Sequence, residues 1–404
     1  MLCQLDNPEN FRTQNSLTHI QRGLGESDLL LSFYLGKRES YVWAITKSSL
    51  GLHRLPAEGE LREEIRRFRS ALRPDLSAGA GVSAEAEQAR EQLGRDLYQR
   101  LFGWIDSKEA AKTSWLLSLD GPLFELPFAA LVSGEANGQP VYVAERHSTQ
   151  MIPGAMFLNA AAGSIGQKSL AGGGGFLGVA DPVYNSADPR WKPDAHGWRR
   201  AAGTPQQLNR LVTTSLELSR SSQTWQAQTG SAGPIQILEG TAAKRGAFLA
   251  GIDAAGTQHG PLTIHLATHV LTSATQPEQA FLAFSLDASG SPGLLSTSEV
   301  GLLHVPDALV VMTGCATATG DVLPGIGLLG LSQAWMMAGA RAVLATNWPV
   351  PDADGDLIPA FYQNLRGTSA AEALRRSQAE LIHSGTWQAS PSYWAAFQVI
   401  GGGR

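Results

Sequence analysis

Cysteine is nearly absent from this chain of 404 residues: only Cys3 and Cys315 occur. Two thiols cannot build a disulfide framework, so the sequence predicts a reducing, cytoplasmic setting in which a thiol stays reactive. Charge is also sparse, at 17% of residues, and 31 basic against 36 acidic side chains leave a formal net charge of −5. With no lysine- or arginine-rich run to concentrate the basic groups, nucleic acid is not expected as a partner. No membrane partner is expected either. The most apolar window, Ile326 to Trp348, contains Gln333, Arg341 and several glycines and reads as a buried helix followed by a strand. The opening MLCQLDNPENFRTQ lacks the basic flank and apolar stretch of a secretory leader. A metal centre needs several converging ligands, whereas His259, His304 and His383 stand isolated. No metal and no cofactor are expected.

What is present is 43% hydrophobic, in a chain long enough for a large core and two domains. DLLLSFYLG and SYVWAITKS, joined by the turn-like Gly36 to Glu39, predict a hairpin. LREEIRRFRSAL puts Leu61, Ile65, Phe68 and Leu72 on one helical face, and a second helix is expected to repeat the spacing with Ala86, Ala89, Leu93, Leu97 and Leu101. SWLLSLDGPLFELPFAALV follows as a strand, an Asp-Gly turn and a buried apolar segment. The glycine-rich Ala161 to Gly175 has the composition of a flexible connection. It divides an N-terminal α/β region, residues 1–165, from a second region, residues 166–404. A phosphate loop would follow a strand and lead into a helix; here the glycines precede the strand, and DPVYNSADPRW after it carries no glycine pattern. A flavodoxin-like nucleotide-binding module is therefore not favoured.

Beyond the boundary, strand and helix patterns alternate. Strands are expected at 176–180, 235–238, 262–267, 281–286, 308–313, 342–345 and 394–400. Helices are expected at 211–226, 242–252 and 328–338, with two more within 354–382 and a short one opened by a Ser296/Glu299 capping box. Strands apolar on both faces, alternating with helices, predict a mostly parallel sheet covered on both sides. In such sheets the functional crevice lies beyond the carboxyl ends of the strands.

Two apolar runs stop abruptly at a reactive side chain: LTIHLATHV at His269 and LVVMTGCATATG at Cys315. If their strands are neighbours, the two side chains share that crevice. A cysteine attacks a carbonyl as thiolate, and a histidine can take its proton and return one to the leaving amine. The plainer alternative is a buried thiol acting as a small hydrophobe and a histidine satisfied as a core polar group. His265, four residues earlier, either lines the crevice or packs beneath it. The glycine- and proline-rich TATGDVLPGIG after Cys315 reads as a loop, poor in both helix and strand character and expected to order when substrate or an activator binds.

Seven blocks, in order over nearly the whole chain, resemble the CHAT family of caspase-like cysteine peptidases. They are LLSLDGPLFELPFAAL, ILEGTAAKRGAF, IHLATHV, VVMTGCATATG, GIGLLGLSQAWMMAGARAVLATNWPVPDADG, FYQNLRGTSAAEALRRSQ and PSYWAAFQVIGG. The resemblance implies a caspase-like sheet preceded by an N-terminal part packed on it. It also implies His269 as catalytic histidine, Cys315 as nucleophile, and an oxyanion hole of the Val270 and Cys315 backbone N–H groups. Val270 stands where a glycine usually follows the histidine, and Ala316 where the family often has glutamate. By the same resemblance the substrate pocket involves NWPVPDADGD, with Trp348, Asp352 and Asp354, together with His265. Its aspartates favour arginine or lysine before the cut, unless one of them caps the helix expected near Asp354 and the others face water. The implied partners are a protein substrate and a regulatory protein. With no helical repeat of roughly 34 residues here, the regulator is expected on a separate polypeptide. A caspase-like scaffold that binds partners without cleaving them is the alternative.

Overall fold

The computed structural model describes residues 13–73, 83–154, 174–192, 208–230, 233–256, 260–272, 279–313, 324–350 and 355–401. The chain divides into two compact units. One comprises Met1–Ala71, Leu76–Gln167 and Gly402–Arg404, the other Leu72–Asp75 and Lys168–Gly401. The boundary expected at 165/166 lies outside the described residues.

In the first unit β1 (Asp28–Tyr34) and β2 (Ser40–Ile45) pair antiparallel with Leu30 opposite Ile45, which is the expected hairpin. The chain turns again into an edge strand, β3 (Leu50–Leu55), that the sequence reading missed. Its LGLHRL pattern leaves Leu50 and Leu52 exposed, so it lacks the buried alternation that marks a strand. β4 (Ser114–Ser118) follows, then a small hairpin of β5 (Val132–Ala136) and β6 (Gln139–Tyr142), then β7 (Ser148–Met151). β1, β4 and β7 run parallel. The Asp-Gly turn is present: Gly121 has φ +51° and Asp120 accepts from the Leu35 N–H at 2.8 Å. Helix Glu58–Leu72 buries Leu61, Ile65, Phe68 and Leu72 as expected. Helix Ala84–Phe102 buries Leu97 and Leu101 as expected, but Arg90 and Gly94 in place of Ala86, Ala89 and Leu93. At Gly94 a Cβ would lie 3.1 Å from the Phe68 ring, so the missing side chain decides which face packs.

The second unit contains β8 (Phe176–Ala180), β9 (Ile235–Glu239), β10 (Thr263–Ala267), β11 (Val270–Thr272), β12 (Ala280–Phe284), β13 (Gly293–Ser296), β14 (Leu309–Met312), β15 (Ala342–Thr346) and β16 (Phe397–Gly401). Six of them form a sheet in the order β16-β15-β14-β10-β8-β9, parallel except for β16. β8, β10, β14 and β15 are buried along their whole length, as strands covered on both faces must be. On one face, Phe248 and Ile252 of helix Arg245–Gly256 and Leu331 and Trp335 of helix Pro324–Met337 join the core. On the other, Trp225 of helix Thr214–Thr229 bonds Thr263, and Tyr362 of helix Leu357–Asn364 reaches His265. Helix Ala370–Ile382 follows, as expected.

Three expectations change. The strand read at 281–286 is β12, which leaves the main sheet to pair antiparallel with β11 and β13. The closing strand starts at Phe397 and runs antiparallel, because Pro391–Trp394 forms a helical turn opened by its proline. The loop reading of TATGDVLPGIG fails from Pro324 onward, where a helix begins with proline at its first position; residues 314–323 lie outside the described residues. The Ser296/Glu299 capping box is present. Among the described residues no helix is long and apolar enough to cross a membrane, and no cluster of metal-ligating side chains occurs.

Candidate active site

β10 and β14 are parallel neighbours, Leu266 opposite Met312, and the Thr313 N–H donates to the Leu266 carbonyl at 3.1 Å. Cys315 follows Thr313 by two positions in sequence. It lies outside the described residues, as do Ala316, Asp352 and Asp354.

His269 sits in the break between β10 and β11 and is 3% exposed. Its backbone is tied on both sides. The N–H donates to the Tyr184 hydroxyl at 3.2 Å, and the carbonyl accepts from the Ala283 N–H of β12 at 3.0 Å. Tyr184 pairs in turn with the Thr268 hydroxyl at 2.7 Å, and Thr268 donates to the Ala283 carbonyl. The imidazole leans on the Tyr184 ring, centroids 4.8 Å apart. Its Nε2 lies 2.7 Å from the Asn209 carbonyl oxygen. A carbonyl only accepts, so Nε2 carries the hydrogen and, in the neutral ring, Nδ1 is the basic nitrogen.

Val270 opens β11 opposite Leu282. Because Ala283 donates to His269 one position earlier, the alternation of an antiparallel ladder turns the Val270 N–H away from β12. The residues with positive φ do not include Val270. Its backbone is extended, a conformation that β-branched side chains favour, and nothing at this position calls for glycine.

His265 is fully buried. Its Nε2 lies 3.1 Å from Glu217 Oε1 and 3.4 Å from Thr313 Oγ1, and its Nδ1 lies 3.3 Å from the Tyr362 hydroxyl. Burial, reinforced by the Glu217 charge, pushes the Tyr362 phenol well above its ordinary range, so Tyr362 stays a neutral hydroxyl. Thr313 donates to Glu217 at 2.6 Å. Trp348 is likewise fully buried, its indole N–H given to the Ser392 carbonyl at 2.8 Å. Asp356 stands at the N-cap of helix Leu357–Asn364 and makes no side-chain cap bond there. It pairs with Arg220 at 2.6 Å and with Gln388, and the Arg220 hydrogen bond holds its carboxyl below the ordinary range.

Several residues gather at the strand ends that the sequence reading did not single out. Asp181, directly after β8, is 2% exposed, with φ +43°. Its carboxylate accepts from Arg190 Nη1 at 2.6 Å and from Arg210 Nε at 2.9 Å and Nη2 at 2.6 Å. The bond to Asp181 raises the Arg210 pKa, and Arg190 holds Asp188 below the usual carboxylate range. FLGVAD has the same form as the other two signals, an apolar run stopped by one reactive side chain. Asn209, Arg210 and Glu217 carry no comparable local signal.

The family model described as the CHAT domain matches residues 91–402. Tetratricopeptide repeat protein 28 of Homo sapiens and of Mus musculus are each 34% identical over 109 residues. That is 27% of this chain and 4% of theirs, so the chain spans only a small part of the curated relatives it matches.

Proposed function

The chain belongs to the CHAT-domain family, caspase-like in fold, and from that premise we propose that it is a cysteine endopeptidase with Cys315 as nucleophile and His269 as general base and acid. His269 Nδ1 takes the thiol proton and the sulfur attacks the peptide carbonyl carbon. The oxyanion of the tetrahedral intermediate is met by the Val270 and Cys315 N–H groups. As the C–N bond breaks, the imidazolium returns the proton to the leaving amine. Water then attacks the thioester, giving its proton to His269, and the acid product leaves with the thiol restored.

The observation that carries this reading is the Nε2–H bond to the Asn209 carbonyl, at 2.7 Å. A buried histidine fixed in the tautomer whose lone pair is on Nδ1, beside the strand that leads to a cysteine, is arranged for proton transfer. The outward N–H of Val270 supports the oxyanion assignment. On this reading residues 166–404 form the catalytic part and the enzyme works in a reducing cytoplasm. Cleavage after arginine or lysine is supported by the acidic Asp352 and Asp354. Trp348 and His265, both buried, are better suited to shaping that region from beneath than to touching substrate. Control by a protein partner is in keeping with the tetratricopeptide repeats that the relatives carry in their name, since such repeats build protein-binding surfaces.

Hydrolysis of a fluorogenic peptide library tests the reading. His269→Ala is expected to lower kcat/KM by about 10²–10⁴-fold, the range for a lost general base, at a temperature where both proteins are fully folded. An unchanged rate contradicts the assignment. A folded wild-type protein that hydrolyses nothing, alone or with its partner, favours the scaffold.

A further inference from the structure

One short stretch, Asn209 to Glu217, touches the ends of three adjacent strands. The Asn209 carbonyl takes the His269 Nε2–H beyond β10. Arg210 grips Asp181 at the end of β8 through Nε and Nη2. Thr214 Oγ1 accepts the Asp181 N–H at 3.0 Å and donates to the Leu211 carbonyl at 2.7 Å, closing the stretch on itself. Leu211 packs with Tyr184, Leu271 and Ala283, residues that flank His269 on the other side. One helical turn later, Glu217 accepts from Thr313 at the end of β14.

We propose that Asn209 to Glu217 is a brace that sets the general base against the nucleophile's strand, with Asp181 and Glu217 as its two anchoring, positioning residues. The proposal rests on the peptidase reading above. Asp181 acts through Arg210 on the Asn209 carbonyl, and so on the tautomer and tilt of His269. Glu217 acts through Thr313, two residues before Cys315. The backbone at Asp181 is the second sign of a fixed device. It holds positive φ directly before Pro182, and a residue preceding proline is already restricted. Aspartate tolerates the left-handed region better than most side chains, but the conformation persists only where the surroundings over-determine it. Here they do, with two guanidiniums on the carboxylate and Thr214 on the amide. A carboxylate this buried also needs both arginines, since an unpaired charge would be expelled or neutralised. Arg210 is thus held firmly, and the carbonyl one residue before it is held with it.

The two attachments of the brace, Arg210 on Asp181 and Glu217 on Thr313, are expected to fail differently. Arg210→Ala releases the Asn209 carbonyl. His269 then samples both tautomers, only one of which accepts the thiol proton. Glu217→Ala releases the β14 end and leaves the imidazole as it was. Nitrogen NMR of the full chain labelled on histidine, with the His269 signals assigned by their loss in His269→Ala, reads the tautomer directly. Peptide hydrolysis reads kcat and KM separately. For Arg210→Ala we expect the His269 nitrogens to move toward averaged tautomers and kcat to fall roughly 10–100-fold, as for a misplaced catalytic group, with KM within about threefold. Arg210→Lys is expected to restore part of both. Glu217→Ala is expected to lower kcat in the same range with the His269 nitrogens unmoved. Glu299→Gln, in the distant capping box, serves as a control for general destabilisation and is expected to move neither.

Unmoved nitrogens in Arg210→Ala overturn the proposal, as does a loss of rate that only follows the loss of folded protein. If Arg210→Ala does not fold, Asp181→Asn, which keeps the shape and removes the charge, gives the same readout. The NMR arm does not depend on Cys315, so the brace stands or falls separately if the peptidase reading fails.

Discussion

The roles proposed for His269 and Val270 draw on opposite sides of one peptide bond. The carbonyl of His269 is pinned to β12 by Ala283, and the pinning turns the next N–H away from the ladder. In the proposed mechanism Val270 acts through its amide, not its side chain. Val270→Gly is expected to leave kcat/KM within about threefold while costing about 1–3 kcal/mol of stability, since it removes a buried side chain from a strand. A tenfold change in rate at equal stability would show that the isopropyl group takes part. Gly355 is constrained in the reverse sense: a Cβ there would overlap the Tyr393 hydroxyl. Gly355→Ala is expected to destabilise by about 1–3 kcal/mol, and Tyr393→Phe in the same chain to recover part of it, as chemical denaturation would show.

Among the elements, the short helix Thr297–Val300 depends on its cap. Ser296 accepts from the Glu299 N–H at 3.3 Å, and Glu299 accepts from the Ser296 N–H at 2.9 Å while pairing with Arg245. Ser296→Ala is expected to cost about 1 kcal/mol in denaturant titration. The Ser296 hydrogen bonds hold the Glu299 carboxyl below its usual value of 4.5. A depressed folded pKa contributes stability above the unfolded value, and that contribution fades as pH falls through the folded one. The Ser296→Ala defect should therefore shrink in acid. This cap was legible because its partners are three residues apart. The parallel strands were legible as apolar runs, and His269, two residues past β10, as the point where one of those runs stops. The antiparallel trio β11-β12-β13 was not, because a short apolar run gives no sign of which sheet it joins. Nor was the brace: its contacts span 29, 60 and 96 positions, and no local pattern encodes a partner at that distance.

At the scale of the whole molecule, the proposed Cys-His chemistry draws its nucleophile and its base from side chains and needs no metal. Hydrolysis is expected to survive chelators at a concentration that strips zinc, and a loss restored by added metal would contradict this. The basic preference proposed above rests on the acidic run that precedes helix Leu357–Asn364 in the sequence. A library profile led by leucine, methionine or aspartate before the cut would refute it, and Asp352→Ala retaining the arginine preference would clear that residue. The central claim is tested most directly by treating wild type and Cys315→Ala, at matched melting temperatures, with a thiol-directed peptide probe ending in arginine, and reading modification by intact-protein and peptide mass spectrometry alongside library hydrolysis. The account predicts one adduct, on Cys315, with hydrolysis abolished in Cys315→Ala. Undiminished hydrolysis in Cys315→Ala, or a wild-type protein that is neither labelled nor hydrolytic, would contradict it.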